Sequence, residues 1–234
     1  MDRIALIRTE EKKYHDLCYE NHKLFEPGSW LHKPVKTVMD LMEEFSGQQN
    51  LNVLDLGCGI GRNSIPIAET LKNRNGKVVC VDLLESAIEK LQEYSEKFEV
   101  QQYIETVQSD IEYFHIAEDE YDVIIAVSAL EHVSSEEALE RKLHEMAVGT
   151  KPNGMNCIII NSNIREIERD SNVDLEPMFE VNLATDNMLE LLDRQYEGWA
   201  IQTRLVKQLE YDIYRDEHLV SLITDCITFV VKKI

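Results

Sequence analysis

The sequence predicts a doubly wound α/β sheet of seven strands, mostly parallel, ending in an antiparallel hairpin and preceded by a helical addition. Three observations carry this. From Leu51 to Asn163, apolar stretches alternate with helical patterns, the rhythm of parallel strands joined by crossover helices. Within them VIIAV and CIIIN are apolar on consecutive residues, as strands covered on both faces should be. The last two strand-like stretches, AIQTRLVKQLEYDIY and LVSLITDCITFVVKK, have only RDEH between them, which requires a hairpin.

The elements follow in order. Residues 14–30 are polar and aromatic, and then Pro34 opens PVKTVMDLMEEF, where Val35, Val38, Met39, Met42 and Phe45 recur at three- and four-residue steps. That is an amphipathic helix with proline in its first turn and Gly47 beyond its end. The strand NVLDL leads through three glycines to a helix ending about Leu71, with Asn63 or Ser64 to cap it and Pro66 near its first turn. KVVCVD precedes the helix LESAIEKLQEYSEKF, IETVQSD is the third strand, YDVIIAVS precedes SEEALERKLHEMAV, and GMNCIIINS is the fifth strand. An acidic segment with Pro177 and the helix NMLELLDRQY separate this series from the hairpin. Residues 1–50 are read as an N-terminal helical cap segment, and residues 51–234 as the main domain.

With 234 residues the chain has enough length for one full core. A net charge of −20 with no Lys/Arg run would repel phosphate backbones and anionic lipid surfaces, so neither nucleic acid nor membrane is an expected partner. The five scattered cysteines (Cys18, Cys58, Cys80, Cys157, Cys226) form no C-x-x-C, and the opening MDRIALIRTEEKK is broken by charge every few residues. Both point to a reducing cytoplasm. No His, Cys or Asp group has the sequence spacing of a metal site.

The chemistry gathers at GCGIG. A strand turning sharply into a helix beside a ligand needs residues without Cβ, which Gly57, Gly59 and Gly61 supply. Asp82 ends the second strand, where a carboxylate accepts hydrogen bonds from ribose hydroxyls, and Asp110 ends the third on the same edge. The plainer readings are a ligand-free turn for the glycines and a helix cap for Asp82. Together the three strand tips read as a nucleoside site.

The nicotinamide fingerprint requires glycine where Arg62 stands, and no G-x-x-x-x-G-K-[ST] phosphate loop is present. VLDLGCGIGRNSIPIA followed by VVCVD resembles the class I S-adenosylmethionine-dependent methyltransferases, a Rossmann-like family. The resemblance implies that Asp55 and the Gly57–Gly61 turn hold the methionine portion, that Asp82 with Leu83 meets the ribose, and that Asp110 and Ile111 meet the adenine. It places Ser128 along the methionine side, with Glu131 and His132 opening toward the acceptor. GCGIGRNSIPIA and LLDRQYEGWAI are further similar to the tellurite-resistance methyltransferases, which implies a chalcogen oxyanion or a thiol as acceptor. Where that group carries a histidine–arginine pair this chain reads EYDIYR, leaving Tyr211 and Arg215 to stand in.

Methyl transfer from a sulfonium releases a neutral thioether, so alignment in a dry pocket matters more than acid–base chemistry. An acceptor that must lose a proton needs a base, for which His132, His32 and Tyr14 are the candidates. Trp30 in the aromatic N-terminal segment and Arg165 after the fifth strand are candidate acceptor contacts, and the segment itself is either a cap over the cofactor or a helix pinned to the body. SALEH after the fourth strand is not the N-P-P-Y type of a nucleic-acid methyltransferase. A non-catalytic sensor or scaffold binding the same cofactor remains the alternative to an enzyme on a small molecule.

Overall fold

The structure is a computed structural model that describes residues 2–215 and 218–234. The middle of the predicted RDEH connection, residues 216 and 217, lies outside the described residues. Eight strands form one sheet in the order β3-β2-β1-β4-β5-β8-β7, with β6 pairing on β5. They are β1 (Asn50–Leu56), β2 (Asn75–Asp82), β3 (Ile104–Gln108), β4 (Tyr121–Val127), β5 (Thr150–Glu168), β6 (Asp174–Leu175), β7 (Ala200–Arg215) and β8 (His218–Lys232). The helices are α1 (Arg3–Asn21), α2 (Lys36–Glu44), α3 (Ser64–Thr70), α4 (Glu85–Lys97), α5 (Glu136–Gly149) and α6 (Thr185–Gln195).

The five strands β1 to β5 pair in parallel, while β8 runs antiparallel to both β5 and β7. The predicted seven strands are therefore present, and the eighth is the two-residue β6. Alternate residues of each central strand enter opposite layers. Val53, Val123 and Cys157 pack with α2, α3 and α4 in one layer, and Leu54, Ile124 and Ile158 pack with α5 and α6 in the other. This two-sided burial explains why VIIAV carries no polar alternation.

Local chemistry departs from the sequence reading at three points. The helix expected from Pro34 starts at Lys36, because Val35 remains extended as its N-cap. Neither Asn63 nor Ser64 caps α3: the Asn63 Oδ1 accepts the Val35 N–H at 3.0 Å, tying α2 to the glycine turn, and the Ser64 hydroxyl donates to Asp55. The largest addition is α1, whose charge-broken sequence shows no apolar stripe; among its residues Ile7, Cys18 and Tyr19 are buried. Polar contacts at its two ends hold it against the sheet's carboxyl edge. Among the described residues no helix is long and apolar enough to cross a membrane.

Candidate active site

The site is built on the carboxyl ends of β1, β2, β3 and β4, side by side in the sheet. After β1 the chain turns through Gly57, Gly59 and Gly61, at φ of 73°, 53° and 93°. A Cβ at Gly57 would lie 2.4 Å from the Cβ of Ala129 after β4, so this turn and the β4 loop meet too closely for any side chain. Asp82, at the end of β2, faces the turn: its Oδ2 accepts the Gly59 N–H at 2.8 Å and its Oδ1 accepts the Leu84 N–H at 2.9 Å. The carboxylate thus braces the glycine turn and the entrance of α4 at once. Burial pushes its pKa up against those backbone hydrogen bonds.

Asp55 is buried within β1, where burial raises its carboxyl to about 7 although the Ser64 hydroxyl donates to it. Asp110 follows β3 and accepts the Glu112 N–H through Oδ1, while its Oδ2 is buried without a hydrogen bond, 2.8 Å from the Arg8 guanidinium of α1. Ile111 is buried beside it and Leu83 is half exposed. Ser128 ends β4 with a left-handed φ of 51° and donates its N–H to Ile159 O at 2.7 Å.

Helix α1 crosses these tips. The Tyr19 hydroxyl sits 3.1 Å from the point a Gly59 Cβ would occupy, Asp16 accepts from Ser86 of α4, and Arg8 meets Asp110. A cavity of about 330 Å³ opens between Arg8, Thr9 and Lys12 of α1 and Leu83, Leu84 and Gln108 of the sheet edge.

On the far side of α1, several residues expected at the acceptor come together. The Trp30 ring lies 6.0 Å from His15 and 6.3 Å from Tyr19 and carries the Arg62 guanidinium at 5.0 Å. Tyr14 is within electrostatic reach of Trp30, Tyr211 and Arg215. Arg215 forms a two-pronged ion pair with the buried Glu166, at 2.6 and 2.9 Å. Glu131 is fully buried, its Oε1 accepting from Asn161, and His132 lies between Glu11 and Glu180. The other two candidates stand elsewhere: Arg165 is exposed on β5 beside Asp225, and His32 ends the short turn Trp30–His32, half-buried.

Sequence reasoning missed Arg8, Glu11, His15, Tyr19 and Glu180. The four on α1 carry no motif and gain their meaning from where the helix lands, although the spacing of Glu11, His15 and Tyr19 by four marks one helical face. Burial pulls the His15 imidazole down to about 4, and its Nδ1 has no hydrogen-bond partner.

Residues 53–154 match the family model described as methyltransferase domain. The chain is 32% identical over 95 residues to the tRNA N(3)-methylcytidine methyltransferase trm140 of Schizosaccharomyces pombe, covering 38% of this chain and 30% of that protein. It is 27% identical over 124 residues to a ubiquinone biosynthesis O-methyltransferase of Hydrogenovibrio crunogenus, covering 53% and 48%. The chain thus spans between about a third and a half of these curated relatives' lengths. Among solved structures, TehB from Haemophilus influenzae superposes with a TM-score of 0.60 at 22% identity, over 84% of this chain and 62% of that one. The N-methyltransferase NodS from Bradyrhizobium japonicum, crystallised with S-adenosyl-L-homocysteine, gives 0.54 at 15% identity over 89% and 90%.

The strand tips offer a glycine cradle, the Asp82 carboxylate facing it, Asp110 beside Ile111 and a buried acid behind the turn, a set that fits S-adenosylmethionine, the cofactor the sequence resemblance implies. Within this sheet it is residues 53–154, less than half of the chain, that are similar to a methyltransferase domain.

Proposed function

We propose that the chain transfers a methyl group from S-adenosylmethionine to a small-molecule acceptor held between α1 and β7. One observation carries the reading. Asp82, the glycine turn and Asp110 converge on one sheet edge, with Asp82 bonded to Gly59 at 2.8 Å, while Tyr14, Trp30, Tyr211 and Arg215 gather on the neighbouring side of α1.

When bound, the cofactor supplies an electrophilic methyl on a sulfonium, and the protein's part is to align and dry the reaction. Asp82 holds the sugar, with Leu83 beside it. Asp110 and Ile111 meet the base. Asp55 and Gly57 to Gly61 with Ser128 hold the amino-acid end, the buried Asp55 carboxylate offsetting an ammonium charge. The aromatic wall of Tyr14, Trp30 and Tyr211 excludes water, and the Arg62 guanidinium over the Trp30 ring favours an acceptor carrying negative charge or a polarisable nucleophile. A chalcogen oxyanion or a thiol has that character, in keeping with the resemblance of GCGIGRNSIPIA and LLDRQYEGWAI to the tellurite-resistance methyltransferases. The net charge of −20 weighs against a nucleic-acid acceptor, since binding RNA rests on cationic surface. The N-terminal segment, residues 1–50, acts as a cap on this domain.

Two measurements test this. Calorimetric titration should show S-adenosylmethionine binding with NAD binding absent or weaker; tighter NAD binding overturns the assignment. A donor-consumption screen over tellurite, selenite, small thiols, amines and phenols should show turnover with an anion or thiol. Cofactor binding without turnover on any of them would favour a sensor or scaffold.

A further inference from the structure

Helix α1 brings Glu11 against His132 of the loop after β4 and Glu180 of the segment before α6. The three side chains each offer one ligand atom, and these atoms lie within 4.8 Å of one another. Both carboxylates approach the same imidazole nitrogen: Glu11 Oε2 and Glu180 Oε2 each stand 3.0 Å from His132 Nδ1. A ring nitrogen carries one in-plane lone pair or one proton, so it serves one hydrogen bond well. Glu180 makes that hydrogen bond, and Glu11 is held at equal distance without one. Two ligands at right angles on an ion with bonds of about 2.1 Å are themselves about 3.0 Å apart.

We propose that Glu11, His132 and Glu180 form a divalent-cation site of mixed oxygen and nitrogen donors, suited to a first-row ion of the Mn(II) type, with the remaining positions open to water. Three further observations support a built site. The strap Phe179-Glu180-Val181 is fixed on both sides of its ligand: Phe179 stacks on the His132 ring with centroids 5.4 Å apart, and the Val181 N–H donates to Glu131 O at 3.0 Å. Arg3 of α1 donates to the carbonyls of Pro177 and Phe179, clamping the same strap. Glu131, next to His132 in the chain, is buried with Oε2 unpartnered. The nearby guanidiniums are engaged, Arg8 with Asp110 and Glu180, and Arg215 with Glu166. Access exists as well, since the Glu11 and His132 side chains are 28% and 20% exposed while Glu180 is 1% exposed. The pattern is invisible to sequence spacing because its members are residues 11, 132 and 180, and the ion fastens α1 to the body. Mixed carboxylate and imidazole ligation suits the borderline ions.

The test uses the full chain freed of metal by chelator and titrated with Mn(II), followed by electron paramagnetic resonance of the free ion and by thermal denaturation. Mn(II) is the probe because the free ion is paramagnetic and gives a resonance signal, whereas Zn(II), with a filled d shell, gives none. The expected result is one ion per chain and a rise in melting temperature, with Glu11→Gln and Glu180→Gln each weakening binding at least about tenfold and Glu10→Gln, outside the cluster, leaving it unchanged. No retained ion at millimolar Mn(II) overturns the proposal, and so does binding that survives both substitutions. Glu11 lies on the half-exposed face of α1, so its variant reports even where a change at His132 disturbs folding. Neither readout uses S-adenosylmethionine, so the outcome is separate from that of the methyl-transfer reading.

Discussion

Replacing Asp82 with alanine removes the acceptor for two backbone N–H groups, those of Gly59 and Leu84, along with the proposed ribose contact. A buried donor left unpaired costs about 1–3 kcal/mol, so Asp82→Ala is expected to lower the melting temperature and to weaken S-adenosylmethionine binding at least about tenfold by calorimetry. Asp82→Asn keeps an acceptor for one of the amides and should lie between. Wild-type affinity in Asp82→Ala would remove Asp82 from the site. Asp55 gives a second test. Its carboxyl is raised by burial from 3.8 to about 7, so folding favours the protonated form. Stability from this group is complete below pH 3.8 and lost as pH rises through about 7. The loss is at most about 4 kcal/mol, from 1.36 kcal/mol for each unit of pKa. Chemical denaturation of the cofactor-free protein should therefore show Asp55→Asn flattening the decline between pH 5 and pH 8, and a slope equal to wild type would show Asp55 ionised at little cost.

At the scale of elements, α1 behaves differently from the helices that cover the sheet. Helices α4 and α5 insert apolar faces with Ile88, Leu91, Leu139 and Leu143 buried, whereas α1 is held by Arg3, Arg8, Glu11, Asp16 and the Tyr19 ring. Partly exposed ion pairs contribute little each. Hydrogen exchange should accordingly find the α1 amides opening well before those of α4 and α5, and Arg8→Ala should speed α1 exchange further without changing that of the central strands. Equal protection of α1 and α4 in the wild type would contradict the polar account of its docking. The same contrast sets what the sequence could disclose. The strands and the helices on the sheet declare themselves because burial imposes periodicity, and the glycine turn does so because positive φ and close approach impose composition. Asp82 and Asp110 are legible by standing at strand ends. Helix α1 answers to neither constraint: its hydrogen bonds and ion pairs are set by where the helix lies in space. For the same reason Glu11 and Glu180 beside His132 cannot be paired from sequence, and the capping role that sequence offers to Asn63 or Ser64 goes to neither, because Asn63 binds across to Val35 and Ser64 to Asp55.

At the scale of the whole molecule, the antiparallel end of the sheet supports the site from behind. Strand β8 pairs with β5 from Met155 to Glu168, while β4 pairs with the start of β5 and ends at the Ser128 to His132 loop. The hairpin is therefore wired to the glycine-turn edge through one strand, and the domain should unfold as a unit. Phe229 of β8 is fully buried, 5.9 Å from the Tyr196 ring after α6, and Phe229→Ala opens a cavity between sheet and helix. Such truncations cost about 3–5 kcal/mol. Cooperative unfolding predicts that the loss appears equally in circular dichroism, in tryptophan fluorescence from Trp30 and Trp199 and in cofactor-site protection, with one midpoint. Tyr214, 70% exposed near the far end of β7, supplies the contrast: Tyr214→Ala should change stability by no more than about 0.5 kcal/mol. Separate midpoints for fluorescence and circular dichroism in Phe229→Ala would mean that the hairpin melts alone, and the strand order would then position the site without stabilising it.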